Sequence, residues 1–185
     1  MGKRKTILAI SGSTRINSSN STLIEIIAIL SAAEFEVRTF DGLADLPAFN
    51  PDLDTEPAPE PVASFRNQLR TADGVLICTP EYAMGVPGAL KNAIDWTVSS
   101  MEFSQKPVAL ITASSQGEKA HASLIETLKV IEAGIPENST LLISFIKGKL
   151  KDKQITDPET LNQIKDVMKS FGDSIQAKIN LTSMN

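Results

Sequence analysis

The chain has 185 residues, of which 42% are hydrophobic and 22% are charged. This length and balance are typical of one globular domain with its own core, so we predict a single domain over residues 1–185. The formal net charge of −4 argues against bulk nucleic-acid binding. No stretch approaches the roughly 20 apolar residues of a membrane span, and the lone Cys78 excludes an intrachain disulfide. We therefore expect a cytoplasmic protein that binds neither membranes nor nucleic acid.

Hydrophobic periodicity predicts strands and helices in alternation. Apolar or alternating runs predict strands over residues 6–10, 35–40, 74–78, 108–111 and 141–143. Apolar residues at helical spacing predict helices around residues 23–30, 62–69, 87–98, 124–131 and 158–179. Strands this apolar are covered on both faces, as in parallel sheets. With right-handed crossovers, the pattern predicts an α/β fold: a doubly wound, three-layer sandwich around a five-stranded parallel sheet.

Two segments lie outside this alternation. Residues 46–61 are rich in proline and acidic residues, yet they are too few for an interdomain linker, so we expect one long surface loop. The second segment carries Lys147, Lys149, Lys151 and Lys153. We interpret it as a solvated loop face, with a site for an anionic ligand or partner as the alternative.

In open parallel sheets, ligands bind beyond the carboxyl ends of the strands. The loop after the first predicted strand, residues 11–21, contains many hydroxyl groups and Arg15, and leads directly into a helix. A helix N-terminus, hydroxyl donors and a guanidinium all suit a phosphate group. The loop is neither a Walker loop nor a Gly-x-Gly-x-x-Gly fingerprint. The alternative interpretation is a serine-rich turn in which Ser or Asn caps the helix.

The loops after the third and fourth strands also have unusual compositions. Residues 79–88 contain two prolines, two glycines and Tyr82, the only tyrosine of the chain. A stiff loop of this kind suits a flat heterocycle, although an ordinary strand–helix connection is an alternative interpretation. Residues 112–117 are small and polar, and this signal is weak by itself.

Two motifs together resemble the NADPH-dependent FMN reductase family. The first is Gly12-Ser13-x-Arg15, followed by Ser18 and Asn20. The second is Pro80-Glu81-Tyr82 followed by the run PGALKNAIDW over residues 87–96. The resemblance covers roughly residues 5–175 and is vaguest in the last third. It implies a flavodoxin-like fold with strand order 2-1-3-4-5 and non-covalently bound FMN.

The same resemblance implies a set of cofactor-binding residues. The phosphate would be held by Ser13, Arg15, Ser18 and Asn20. The isoalloxazine ring would lie along Pro80, Glu81 and Tyr82, whose backbone amides would meet its polar edge, and Ser114 and Gly117 would approach it from the third loop. Ser11, Ala83 and Gly85 complete the predicted set. Ala83 and Gly85 stand where the family commonly has Asn and Ser, which removes a polar side chain near the flavin.

The resemblance also implies an enzyme. Hydride would pass from NADPH or NADH to bound FMN, and then to a flavin, quinone or similar small acceptor. The flavin carries this chemistry, so we expect no catalytic side chain and no metal. The family pattern also implies a homodimer or homotetramer. A flavodoxin-like electron carrier and a flavin-binding protein without NAD(P)H turnover remain the alternatives.

Four further positions attract notice for their residue types. His121 is the only histidine, and we interpret it as a surface or capping group. Cys78 ends a buried strand and is expected to be a core residue. Met84 could shape the ring site or fill space. Asp95-Trp96 is expected to serve the core or a subunit contact.

Overall fold

The computed structural model describes residues 4–183; the predicted domain of residues 1–185 extends beyond them at both ends. The main strands are β1 (Lys5–Ser11), β2 (Phe35–Phe40), β3 (Gly74–Thr79), β4 (Val108–Ser114) and β5 (Thr140–Ser144). The helices are α1 (Ser19–Leu30), α2 (Glu60–Thr71), α3 (Gly88–Asp95), α4 (Glu118–Val130), α5 (Ile146–Lys149) and α6 (Pro158–Ser183). Two short strands, β6 (Leu150–Lys151) and β7 (Gln154–Ile155), form an antiparallel hairpin.

The five main strands are parallel and lie in the order β2-β1-β3-β4-β5. Successive side chains of a strand point to opposite faces of the sheet. Accordingly, Leu8 and Ile10 pack in one hydrophobic cluster with residues of α2, α3 and α4. Ile7 and Ala9 pack in the other, with residues of α1 and α6. This arrangement confirms the predicted three-layer sandwich and its strand order.

Two predictions of secondary structure were wrong. Helix α3 ends at Asp95 rather than continuing to Val98, whose side chain is 55% exposed. The lysine-rich segment, expected to be a loop, contains α5 and the β6–β7 hairpin. It is ordered because Leu150 pairs with Ile155 and both pack against the cluster beneath α1 and α6.

The proline-rich segment of residues 46–61 is a surface connection anchored near its start and at its middle. The side chain of Asn92 accepts a hydrogen bond from the amide of Phe49 at 2.7 Å and donates one to the carbonyl of Pro47 at 2.9 Å. The indole Nε1 of Trp96 donates to the same carbonyl at 2.8 Å. Two residues of the second motif therefore hold this segment rather than a ligand.

A buried arginine anchors the middle of the segment. Arg66 is 3% exposed and donates to Asp54 Oδ1 at 2.7 Å and, through Nε, to the carbonyl of Trp96 at 2.9 Å. Hydrogen bonds from Ser99 and Arg66 hold the pKa of Asp54 below its ordinary value. Because a buried charge needs a partner, this pair fixes the segment against α2.

Gly12, at the end of β1, lies close to the neighbouring strand β3. Its amide donates to the carbonyl of Cys78 at 2.8 Å. A Cβ atom at this position would lie 2.2 Å from Thr79 Oγ1 and 2.7 Å from Thr79 Cβ. Only glycine therefore fits here without displacing β3. The start of the first loop depends on this close approach of the two strands.

We predict that Gly12→Ala lowers the free energy of unfolding by about 1–3 kcal/mol, because overpacking forces the two strands apart. Urea unfolding measures the change. Gly88→Ala is the matched control: no atom lies within 4 Å of a Cβ atom built there, so that variant should be at least as stable as the wild type. Equal stabilities of the two variants would contradict the close approach.

Candidate functional site

A cleft of about 340 Å³ lies beyond the carboxyl ends of β1, β3, β4 and β5. Its volume falls within the range of about 300–1,000 Å³ that is usual for small-molecule sites. Four segments form its walls: the first loop with the start of α1, the second loop, the end of β4, and the start of α5. The lining residues are Ser13, Arg15, Ser18, Ser19, Asn20, Pro80, Glu81, Tyr82, Ala113, Ser114, Ser115, Phe145, Ile146, Lys147 and Gly148.

The first loop is built to deliver the N-terminus of α1 to the cleft. Ser18 is the N-cap, and its hydroxyl accepts a hydrogen bond from the amide of Ser21 at 3.0 Å. Ser11 Oγ bonds both the carbonyl and the amide of Ser13, which folds the loop back on itself. The remaining first-turn amides have no partner within the helix, so this wall presents donors and partial positive charge.

Asn20 lines the cleft and carries a buried acceptor without a partner. Its side chain is 3% exposed, and Nδ2 donates to the carbonyl of Ala113 at 3.1 Å. A carbonyl can only accept, which fixes the orientation of the amide. Oδ1 has no hydrogen-bond partner among the described residues. A buried acceptor without a partner is costly, so a ligand with an O–H or N–H donor suits this position.

The charges around the cleft favour an anion, although the chain as a whole is acidic. Arg15 and Lys147 line the cleft, and neither side chain forms an ion pair within residues 4–183. Glu81 is the only carboxylate on the wall, and its Oε2 accepts from the amide of Ala120 at 2.9 Å. That carboxylate is therefore committed to the N-terminus of α4.

The backbone amides of the second loop form hydrogen bonds within the protein. The amide of Glu81 donates to Ser114 Oγ at 3.2 Å, and Tyr82 and Gly85 exchange amide-to-carbonyl bonds of 3.0 Å. The amides of Glu81 and Tyr82 thus have hydrogen-bond partners within the protein. Their contact with the polar edge of a ring, which the resemblance implied, stays a prediction. The Tyr82 hydroxyl lies 3.0 Å from Ser13 Oγ, which places the end of its ring beside the first loop.

The structure gathers eight predicted residues on the cleft wall: Ser13, Arg15, Ser18, Asn20, Pro80, Glu81, Tyr82 and Ser114. Four others lie off it and support the loops. Ser11 faces a separate cavity behind the first loop, and Gly117 is the buried N-cap of α4 with φ of +110°. Ala83 and Gly85 belong to the turn that follows Tyr82.

The sequence interpretation missed the wall formed by residues 145–148. Phe145 and Lys147 line the cleft there, with Ile146 buried behind them. Because β5 ends at the same edge of the sheet as β4, the loop after the fifth strand belonged among the candidates. The lysine-rich segment was interpreted as a solvated loop face, with a site for an anionic ligand as the alternative. The position of Lys147 on the cleft wall favours the anionic ligand at that one lysine.

The other noted residues lie away from the cleft wall. Cys78 is fully buried, and burial raises the pKa of its thiol, as expected of a core residue. His121 Nδ1 lies 2.8 Å from Thr112 Oγ1, and burial lowers the pKa of its imidazole. Trp96 is a core residue, and Asp95 pairs with Lys91 at 2.6 Å.

Within residues 4–183, no group of acidic, histidine or cysteine side chains is arranged to hold a metal ion. The same part of the chain contains no helix that is both long and apolar enough to cross a membrane.

Sequence comparisons identify related proteins along most of the chain. A family model described as NADPH-dependent FMN reductase matches residues 6–148. A quinone reductase of Escherichia coli is 30% identical over 184 residues, which cover 95% of this chain and 98% of that protein. An NAD(P)H-dependent FMN reductase of Pseudomonas aeruginosa is 39% identical over 111 residues, which cover 59% of this chain and 60% of that protein.

Solved structures share the fold. The flavoenzyme FerB of Paracoccus denitrificans, an NAD(P)H:(acceptor) oxidoreductase, superposes with a TM-score of 0.77 at 28% identity. The match covers 94% of this chain and 98% of FerB. An archaeal flavodoxin has a TM-score of 0.61 at 9% identity, covering 92% of this chain and 99% of its own. At this low identity, the similarity to the flavodoxin shows only a shared fold.

The turn after Tyr82 carries backbone strain. Ala83 and Met84 have φ of 47° and 61°, a left-handed conformation that costs an ordinary residue roughly 1–2 kcal/mol. Turns with positive φ at both central residues favour Asn-Gly. Alanine at position 83, where the family commonly has Asn, therefore affects the conformation of the backbone and also removes a polar side chain.

We predict that the double variant Ala83→Asn/Met84→Gly raises the free energy of unfolding by about 1–2 kcal/mol, because both residues tolerate the left-handed region. Urea unfolding of the variant and the wild type tests this. Ala83→Val, which keeps the turn but adds a β-branched side chain, should be less stable than the wild type. A double variant that is less stable than the wild type would contradict the assigned turn.

Proposed function

Because the chain belongs to the NADPH-dependent FMN reductase family, we propose that its cleft binds FMN and that the enzyme uses NAD(P)H to reduce quinones or flavins there. The protein is an FMN-dependent oxidoreductase of small acceptors. Its site residues and its preferred acceptor are the parts of this assignment that we propose. We also propose that residues 1–185 form a single FMN-binding domain.

One observation carries the placement of the cofactor. Asn20, whose buried Oδ1 has no partner among the described residues, lines the same wall as the N-terminus of α1 and Arg15. The Arg15 guanidinium forms no ion pair within residues 4–183. A phosphate group requires the cation and the free amides. A hydroxyl or ring N–H of the same molecule would satisfy the acceptor. FMN offers both kinds of group, so the residues present fit it.

We assign roles to the cleft residues accordingly. Arg15, Ser13 and Ser18 would hold the phosphate, with the hydroxyl of Ser18 also capping α1. Asn20 would accept a hydrogen bond from the cofactor rather than donate one to its phosphate, because its donor is used by Ala113. The ring would lie along Pro80, Tyr82 and Ser114. Glu81 is a positioning residue that joins the second loop to α4.

The protein's part in the reaction is binding and orientation. FMN held by these residues would supply the redox chemistry, namely acceptance of a hydride from NAD(P)H and, with a proton from solvent, two-electron reduction of an acceptor such as a quinone. The side chains of the cleft orient the two partners and fix their distance, which is where most of the rate enhancement would arise. Since donor and acceptor would use one open side of the cleft, they should react in alternation.

We also propose a homodimer or homotetramer in the cytoplasm. Large apolar side chains remain exposed near the proline-rich segment, among them Leu53, Val98 and Met101. Exposed apolar groups that lie together are typical of contact surfaces. Light scattering on the purified protein would test the oligomer, and a monomer at micromolar concentration would contradict it.

The experiment that tests the function uses protein saturated with FMN under strictly anaerobic conditions. NADPH or NADH should bleach the absorbance of the oxidised flavin, and a quinone should restore it. Free FMN with the same nucleotides is the control. Bound flavin that neither nucleotide bleaches would indicate an electron carrier or a flavin-binding protein without turnover, and would contradict the proposal.

We predict that Arg15→Ala weakens FMN binding by about 10- to 100-fold, because one charge-assisted hydrogen-bonding group is lost. Arg15 is exposed and forms no ion pair within residues 4–183, so the free energy of unfolding should not change. Fluorescence titration measures the affinity.

Arg15→Lys should fall between the wild type and Arg15→Ala, since lysine keeps the charge but cannot bind bidentately. Arg38→Ala, on β2 and outside the cleft, is the control for a lost surface arginine. An FMN affinity equal in Arg15→Ala and the wild type would remove Arg15 from the phosphate site.

A further inference from the structure

The wall formed by residues 145–148 has no role in holding FMN as assigned above. It is nevertheless firmly placed. The amide of Phe145 donates to the carbonyl of Ser115 at 3.2 Å, and Ser144 Oγ donates to the carbonyl of Gln116 at 3.1 Å. Ile146 is 3% exposed and anchors the segment in the core. The backbone on either side of it is therefore held at the cleft.

Phe145 is an unusual residue for this position. Its side chain is 70% exposed, and its backbone is left-handed with φ of 56°. For a bulky residue that conformation is an outlier and costs of order 1–3 kcal/mol. An exposed ring in a strained backbone contributes little to folding. It does offer a flat apolar face to a molecule in the cleft.

Lys147 supplies charge next to that ring. It lies on the same wall, and it forms neither an ion pair nor a hydrogen bond through its side chain in the part of the chain that is described. Arg15, the hydroxyl groups and the N-terminus of α1 already suit the cofactor phosphate. Because the assignment above does not use Lys147, its ammonium group is available to a second anion in the cleft.

We propose that Phe145 and Lys147 select the electron acceptor: the ring of Phe145 packs against a planar quinone, and Lys147 pairs with a negative charge carried by that quinone. This inference rests on the proposed function. It adds the substrate class, a planar aromatic acceptor bearing an acidic substituent. NAD(P)H also combines a ring with negative charge, so the experiment must treat the two half-reactions separately.

The test measures the oxidative half-reaction alone. The FMN-loaded enzyme is reduced with dithionite, so that the result is independent of NAD(P)H, and is then mixed with 1,4-naphthoquinone or 1,4-naphthoquinone-2-sulfonate. Lys147→Gln should slow the reaction with the sulfonate about 3- to 5-fold, the value of one exposed ion pair. The neutral quinone should react at the wild-type rate.

Phe145→Ala should slow both quinones, by about 5- to 10-fold, because the stacking surface is lost. The matched control is Lys151→Gln, which removes the same charge from exposed β6 outside the cleft. A Lys147→Gln variant that behaves like Lys151→Gln with the sulfonate would overturn the role of Lys147. Wild-type rates for both quinones in Phe145→Ala would overturn the role of Phe145.

Two further measurements separate this inference from the cofactor assignment. FMN titration of Lys147→Gln and Phe145→Ala should give the wild-type affinity. A loss as large as that of Arg15→Ala would place these residues on the cofactor and overturn the inference, while leaving the proposed function intact. Bleaching by NADPH should proceed at the wild-type rate; slowing confined to that step would assign the wall to the donor instead.

Discussion

The hydrogen bond from the side chain of Asn20 to the carbonyl of Ala113 sets the geometry of the cleft. It joins the first turn of α1 to the end of β4 across 93 positions of sequence, and it is buried. Because β1 and β4 flank β3 in the sheet, this bond spans the strand that carries the second loop. It thereby fixes the positive end of α1 relative to the other walls.

The same residue connects the fold to its chemistry. By donating to Ala113, Asn20 is left with one buried acceptor that the described protein does not satisfy. Native structures tolerate few such atoms, and each calls for a partner. Phe145, whose backbone is left-handed, lines the same cleft. An unmet buried acceptor and a strained aromatic residue at one cleft are features of functional sites.

Much of this could be predicted from the sequence, because period and composition are local signals. The apolar strands predicted a parallel sheet, and the hydroxyl-rich loop with Arg15 was predicted to face a ligand and does line the cleft. What sequence could not supply depends on contacts between distant segments. The amide of Glu81 is occupied by Ser114, which no local pattern reveals. Phe145 was overlooked because only the position of β5 beside β4 brings it to the cleft.

The central claim is that the first loop holds the phosphate of FMN, and comparing FMN with riboflavin tests it most directly. Riboflavin has the same ring and ribityl chain but lacks the phosphate. Fluorescence titration of the apoprotein should show FMN binding roughly 100-fold more tightly, the contribution of about two charge-assisted hydrogen bonds. Equal dissociation constants for the two flavins would contradict the account, because Arg15 and the free amides at the start of α1 would then have no part in binding.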